Sequence, residues 1–393
     1  MRLVPSVAKY SFPPTHTWHT GTTWGRPERS AVATRHTRSR SNKRTKSFLS
    51  RTQTVRFVRL GSNPSPCRTL DRVRAFVTGA TGFVGSHLAE RLLAAGWAVR
   101  GLVRPGREAA LPAGVEPVRG TLDDLPALRQ GCAGCEVVFH VAAELDGDAP
   151  RERVLHVNVG GTENVLRAAE EAGVRRFVFT SSVAVYGESA PEAAGEDTPL
   201  RPTGVYGESK VLAEDLSFSH HARGLVEVVV LRPCFVYGPR DRRFTRTLVR
   251  VLRGGWFPVV AGGSAPLDVV HVADVVEAHL LAAVSPQAAG RAYNVTDGAR
   301  RTIRELLRIA SRALGVRVRE IPVPAWAVGP AAVTLRGLAQ LFRVPGAHLL
   351  SPGNLRAMLA PHHFSIARAR AQLDYAPRYQ AETSLPDVLA RLS

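Results

Sequence analysis

Tyr206 and Lys210 stand four residues apart in the run Tyr206-Gly207-Glu208-Ser209-Lys210. On a helix that spacing puts a phenol and an ammonium on one face. An unperturbed phenol releases its proton near pH 10. A neighbouring cation stabilises the phenolate and brings that value toward working pH. The pair therefore suits proton transfer at a carbinol or carbonyl oxygen. Alone, such a pair reads as exposed helix surface more often than as chemistry. Here it has company. Phe179-Thr180-Ser181-Ser182-Val183-Ala184-Val185-Tyr186-Gly187 ends an apolar strand with hydroxyls, and Ser182 precedes Tyr206 by 24 residues. Hydroxyls at the C-terminal end of a parallel strand lie on the ligand side of the sheet.

A second motif supplies a partner for that chemistry. Val77-Thr78-Gly79-Ala80-Thr81-Gly82-Phe83-Val84-Gly85 follows a short apolar strand, Ala75 to Thr78, and opens a helix. Glycines there allow a tight turn and let the backbone approach a pyrophosphate. The third lets helix and strand pack closely, and the helix N-terminus offers free N–H groups. A glycine triple alone is weak, but the flanking strand and helix supply the context that a dinucleotide site needs.

The spacing is G-x-x-G-x-x-G, and the wording TGATGFVGSHL resembles the extended short-chain dehydrogenase/reductase superfamily. That branch contains NAD-dependent epimerases and dehydratases, 3β-hydroxysteroid dehydrogenases and dihydroflavonol reductases. The resemblance covers about residues 73 to 393. It implies Tyr206 as acid/base, Lys210 as the group that lowers its pKa and holds the ribose, and Ser182 as the hydroxyl that orients the substrate oxygen, with Ser181 the second match. Asn158, in His156-Val157-Asn158-Val159-Gly160, resembles the helix asparagine that supports the lysine through water. An ordinary asparagine near a helix start fits it equally. Gly79, Thr81, Gly82, Phe83, Val84 and Gly85 would hold the dinucleotide. So would Val141, Ala142 and Ala143 beyond the fourth strand, and Pro233 after the sixth. His140 reads as a packed, hydrogen-bonded residue, and Asp274 as an intrahelical or capping one.

The second strand bears on the choice of nucleotide. An acid about 20 residues past the loop would bond the ribose hydroxyls of NAD. Gly101-Leu102-Val103-Arg104-Pro105 has none. Arg104 is either a partner for a 2′-phosphate or a surface arginine at a strand end. The cofactor expected is NADP or NAD, with NADP favoured. Asp123, in Gly120-Thr121-Leu122-Asp123, either replaces the family's adenine-side aspartate or is simply exposed.

Elements must position these residues. Strands are expected at Ala75–Thr78, Ala98–Val103, Val115–Val118, Val137–Val141, Phe177–Thr180 and Glu227–Leu231. Helices are expected at Ser86–Ala95, about Arg153–Ala172 and Tyr206–Arg223. Short apolar runs separated by helices indicate a doubly wound parallel sheet, an α/β Rossmann-type fold. After Pro233 the alternation breaks down into a smaller C-terminal α/β lobe over the strand ends. The organisation expected is a basic N-terminal extension (1–72), a dinucleotide-binding domain (73–235) and a mainly substrate-binding lobe (236–393).

Residues 1–72 hold 15 Lys or Arg against two acids, so they carry +13 of the formal net charge of +19. They read as disordered. A transit peptide and a start codon placed too far upstream, with initiation near Val73, explain them equally. Charge is thus no argument that the folded part binds nucleic acid. Four scattered cysteines fit a reducing cytosol, and a cytoplasmic location is expected. Cys132 and Cys135 read as a loop before a buried strand, not half a metal site, and no metal is expected. No apolar run spans a membrane. The Val323–Leu335 run reads as a pocket wall, with peripheral membrane contact as the lesser reading. A homodimer is expected from resemblance alone.

The leading expectation is hydride transfer at a secondary alcohol or ketone of a small apolar substrate, in the manner of the steroid dehydrogenases and dihydroflavonol reductases. One alternative is an epimerase or dehydratase of a nucleotide-linked sugar, with Arg240, Arg242, Arg243 and Arg246 holding the diphosphate. Another is a regulator that senses NADP without turnover.

Overall fold

The computed structural model describes residues 73–146, 149–328 and 358–391, with the isolated positions 337 and 355. The basic extension 1–72 and most of the apolar stretch beyond Val328 lie outside the described residues.

Seven parallel strands form one sheet in the order β10-β6-β5-β4-β1-β2-β3. They are β1 (Arg74–Thr78), β2 (Ala98–Val103), β3 (Glu116–Arg119), β4 (Val137–His140), β5 (Arg176–Thr180), β6 (Glu227–Pro233) and β10 (Arg291–Val295). Every residue of β4 and β5 is buried. Strands covered on both faces need continuous apolar runs, which is why these segments do not alternate. The order reverses between β1 and β4, so the two chain crossovers leave on opposite faces. A crevice opens there at the C-terminal strand ends.

On one face lie α2 (Leu125–Cys132), α4 (Gly161–Glu171) and α5 (Gly204–Ala222); on the other, α1 (Phe83–Ala94) packs against α7 (Val272–Val284). The expected helix over 153–172 is interrupted. After α3 (Arg151–Leu155), a wide π-turn over His156–Gly160 precedes α4, and it carries the buried Asn158. Such bulges leave no mark in hydrophobic periodicity. The first helix begins at Phe83, three residues before the expected start, because Gly82 is its N-cap.

Two further expectations are corrected. Cys132 closes α2 and is not in a loop; Asp124 caps that helix by accepting from the Ala127 N–H at 3.1 Å. Cys132 and Cys135 are both buried, and burial pushes the Cys132 thiol up to about 12. The chain beyond residue 235 also does not stay apart from the dinucleotide domain. β10 pairs with β6 as the seventh strand, and α7 covers the sheet.

The rest of that region surrounds a second core containing Tyr237, Leu252, Phe257, Leu306 and Leu389. Its elements are β7 (Phe235–Tyr237), α6 (Phe244–Arg253), β8 (Trp256–Val260), β9 (Val269–His271), α8 (Ile303–Ala313), β11 (Arg319–Val323) and α10 (Ala381–Ala390), whereas α9 (Ala367–Leu373) packs against β10 and α7. Asp274 does not cap its own helix. It accepts from the Arg378 and Tyr379 N–H groups at 2.9 and 3.1 Å and so ties down a distant segment.

Helix α2 reaches the sheet through Gly131. A Cβ there would lie 2.4 Å from the buried Phe76 ring. Gly131→Ala should therefore cost a net of about 1–2 kcal/mol, because overpacking outweighs the helix propensity of alanine. Urea unfolding checks this; a midpoint that rises would refute the packing argument.

Candidate active site

The glycine loop closes on itself at the crevice. Gly79 has φ +70°, and a Cβ on it would stand 2.9 Å from the Ala142 nitrogen beyond β4. A Cβ on Gly85 would fall 2.1 Å from the Gly79 carbonyl oxygen. Neither position admits a side chain, so loop, helix and β4 approach to backbone distance. Thr78 fixes the junction: its hydroxyl accepts from the Val141 and Ala142 N–H groups at 3.2 Å. Gly82 gives α1 no side-chain cap, and the first turn holds no acid. The amides of that turn are open to an anion. Thr81 and Gly82 are exposed beside them, and Phe83 and Val84 are half-buried. A dinucleotide pyrophosphate fits this cradle.

The reacting groups lie across the crevice. Lys210, 2 % exposed, donates from Nζ to the Thr180 carbonyl oxygen at 2.8 Å, at the very end of β5. Its ammonium stands 4.8 Å from the Phe179 ring centroid and 5.8 Å from that of Tyr206. Burial pushes its pKa down to about 8, with the charge of Glu214 acting the other way. Burial pushes Tyr206 up to about 12, while a hydrogen bond from Ser182 and the charge of Arg243 favour its phenolate. Ser182 also accepts from the Ala184 N–H at 3.2 Å, which holds the turn after β5. Phenol, ammonium and hydroxyl thus meet, although β5 and α5 are joined by a long connection.

The Asn158 side chain joins loop to helix. It accepts from Glu144 N–H at 2.7 Å and donates to the Glu144 carbonyl and to Ser209 Oγ at 3.1 and 2.9 Å. Ser209 in turn donates to the Tyr206 carbonyl oxygen at 2.7 Å. His140 is packed as expected. Its ring nitrogens meet Thr78 and Thr162 at 2.7 and 3.0 Å, and burial with the charge of Lys210 pushes its pKa down to about 3. Pro233 ends β6, buried. Two residues stand apart. Arg104 is exposed just past β2. Asp123 is 59 % exposed at its side chain and pairs with His156 Nε2 at 2.9 Å.

A family model, NAD dependent epimerase/dehydratase family, matches residues 75–296. The chain belongs to this family. Within it, the chain is an enzyme of the extended short-chain dehydrogenase/reductase type. A ketoreductase of Stigmatella aurantiaca, named for 4-hydroxy-2-methyl-3-oxo-4-farnesyl-3,4-dihydroquinoline-1-oxide, is 36 % identical over 66 % of this chain and 79 % of its own length. A 3 beta-hydroxysteroid dehydrogenase/Delta 5-->4-isomerase of Mycobacterium tuberculosis is 33 % identical over 82 % of this chain and 90 % of its own. Among solved structures, a short-chain dehydrogenase/reductase superfamily protein from Agrobacterium tumefaciens with bound NAD aligns with a TM-score of 0.65 and 26 % identity, covering 81 % of this chain and 96 % of that one.

In this family member, a buried network behind the reacting groups escaped the sequence reading. Glu214, one turn beyond Lys210, is 1 % exposed. Arg232 on β6 grips it with Nε at 3.0 Å and Nη2 at 2.5 Å, and Ser181 donates to it at 2.5 Å. Arg232 also donates to Tyr186 Oη at 2.8 Å, and Tyr186 to Asn294 Oδ1 at 2.7 Å. The available signal was an acid four residues after the lysine, on the same helix face.

The charge buried on Lys210 has a measurable consequence. Its folded-state pKa lies below its ordinary value of 10.5, so between about pH 8 and 10.5 the unfolded chain binds more protons. Stability must then rise with pH through that window. Tyr206, shifted upward, acts in the opposite sense only above about pH 10. From pH 8 to 10 the wild type should gain about 2–3 kcal/mol relative to Lys210→Met. Parallel urea-unfolding curves across that range would sink the assignment of a buried, charged lysine.

Proposed function

We propose that this enzyme transfers a hydride between a nicotinamide dinucleotide and a secondary alcohol or ketone on a small apolar molecule, with NADP preferred. The carrying observation is Lys210, anchored by the Thr180 carbonyl oxygen at the C-terminal end of β5 and 5.8 Å from the Tyr206 ring centroid, with Ser182 opening the turn that follows that strand. Bound dinucleotide supplies the two-electron redox partner and, when oxidised, a positive charge that favours the phenolate. Gly79, Thr81 to Gly85, Val141 to Ala143 and Pro233 would hold it. Asp123, already paired with His156, would sit near the adenine. Tyr206 gives its proton to the substrate oxygen in reduction and takes it back in oxidation. Ser182 orients that oxygen. Lys210 lowers the cost of the phenolate and holds the ribose. Asn158 is a positioning residue acting through Ser209.

Three features support the finer choices. The strand end Gly101-Leu102-Val103-Arg104-Pro105 has no acid to bond a ribose hydroxyl pair, and Arg104 is exposed where a 2′-phosphate would lie. The two relatives named above are called after bulky apolar molecules. Of the four arginines that could hold a sugar diphosphate, Arg240 is already bound to Glu90 through two bonds of 2.7 Å. A sensor without turnover would need none of Ser182, Tyr206 and Lys210 together.

Among the described residues, no helix is long and apolar enough to cross a membrane, and no group of three or more acids, histidines or cysteines is placed to hold a metal.

Tyr206→Phe should lower the rate of NADPH oxidation with a reducible ketone by about 10²–10⁴-fold, the usual worth of a positioned acid. Full activity in that variant would refute the mechanism. Arg104→Ala should raise the KM for NADPH while leaving that for NADH nearly unchanged; an equal effect on both would refute the phosphate role. Tightly held NAD with interconversion of nucleotide sugars would replace the reductase reading by the epimerase one.

A further inference from the structure

We propose that Arg232 and Glu214 form a clamp on the turn that carries Ser182, and that the clamp, acting through Ser181 and Tyr186, aims the Ser182 hydroxyl at the reacting oxygen. These four are positioning residues, all buried behind the reacting groups. This rests on the reductase reading above and deepens its account of the same site.

The turn is held at its front end by α5. Two side chains one turn apart on that helix bond to successive residues at the end of β5. Lys210 Nζ donates to the Thr180 carbonyl oxygen at 2.8 Å, and Glu214 Oε1 accepts from the Ser181 hydroxyl at 2.5 Å. The Ser181 N–H is committed as well, to the Leu231 carbonyl oxygen of β6 at 2.7 Å. A hydroxyl so engaged is not free for a substrate, so of the two serines that match the family motif Ser182 is left to the chemistry. Ser182 follows directly in extended backbone, with φ −163° and ψ 153°, and opens the short helical turn Val183–Tyr186.

Arg232 closes the clamp from β6. It stands next to Leu231 and binds both carboxylate oxygens of Glu214, Nε to Oε1 at 3.0 Å and Nη2 to Oε2 at 2.5 Å. Ser181, Leu231, Arg232 and Glu214 thus form a closed ring of bonds that joins β5, β6 and α5. The same guanidinium reaches the far end of the turn, where Nη1 donates to Tyr186 Oη at 2.8 Å. Tyr186 is fixed in its own right: its hydroxyl donates to Asn294 Oδ1 at 2.7 Å, and its ring stacks on Phe364 with centroids 5.3 Å apart. One cation therefore holds both the residue before Ser182 and the residue that ends its turn. A planar guanidinium with five donors serves both in fixed directions, which the point charge of a lysine would not. Reaction rates are steep in such placement, and a shift of about 1 Å can cost about 10²-fold.

The test uses the full chain with NADPH and cyclohexanone, acetophenone and methyl 3-oxobutanoate, the fastest of which is taken forward. Ser181→Ala should lower kcat by about tenfold and leave the KM for NADPH within about twofold of wild type. Ser181→Thr, which keeps the hydroxyl, should recover most of the loss. The deciding measurement is a cycle with Ser182→Ala: where that hydroxyl is already gone, Ser181→Ala should cost less than about twofold more. Tyr186→Phe, which opens the other end of the clamp, should show the same pattern, and it decides the matter if Ser181→Ala does not fold. An undiminished kcat in both single variants, or an equal loss with and without the Ser182 hydroxyl, overturns the inference and leaves the reductase reading standing. If the wild type instead interconverts UDP-glucose and UDP-galactose, the reductase reading falls, and the same cycle read on that turnover decides the clamp. Binding of NADPH without either turnover removes both.

Discussion

A buried ammonium organises this protein. Lys210 is out of water, and a charge so placed must be hydrogen-bonded or lose its proton. Its anchor is the last carbonyl of β5, freed because the strand ends there and the chain turns away at Ser181 and Ser182. That one bond fixes α5 against the strand end and, with it, the distance between Tyr206 and Ser182. The environment is poised rather than comfortable. Burial pushes the lysine down and the phenol up. A phenol held neutral is ready to give a proton, and added positive charge is what turns it into a base.

The surrounding polar groups make this arrangement specific. Glu214 lies one turn from Lys210, yet its carboxylate is gripped by Arg232 and Ser181. It favours the ammonium by charge without taking its hydrogen bond. The same Arg232 reaches Tyr186, which reaches Asn294 on β10. A chain of buried hydrogen bonds thus runs from the helix of the reacting residues to the last strand of the sheet. Fully satisfied networks of this kind fix one packing, because any slip would strand a buried charge.

Backbone proximity governs the other side of the crevice. Gly79 and Gly85 have no room for a Cβ, so β1, α1 and the segment after β4 meet without side chains between them. The open amides of α1 face the same crevice as the strand ends. From the far side, α6 sends Arg243 across to Leu145. The dinucleotide cradle and the proton-transfer groups therefore share one crevice, though they come from residues 79 to 210.

How much of this was legible follows the range of the interactions. The glycine loop, the Tyr206–Lys210 pair and the parallel sheet are local patterns. A turn, a helix repeat and buried apolar runs each write themselves into neighbouring residues. The sequence alone therefore determined the doubly wound fold, the family resemblance and the candidate chemistry. Long-range pairings decided the rest. Nothing in Arg291–Val295 announces that it completes the sheet beside β6, and nothing near Asn158 announces a π-turn. Glu214 looks like a surface acid until Arg232 and Ser181 are brought to it. Asp123 is an expected adenine-side residue by its place in the sequence, but its neighbour in space is His156. Arg243 was one arginine among several in a basic run. Tertiary structure pairs Arg240 with Glu90 and carries Arg243 to the Leu145 carbonyl oxygen, because a charge acquires its meaning from the partners that folding gives it.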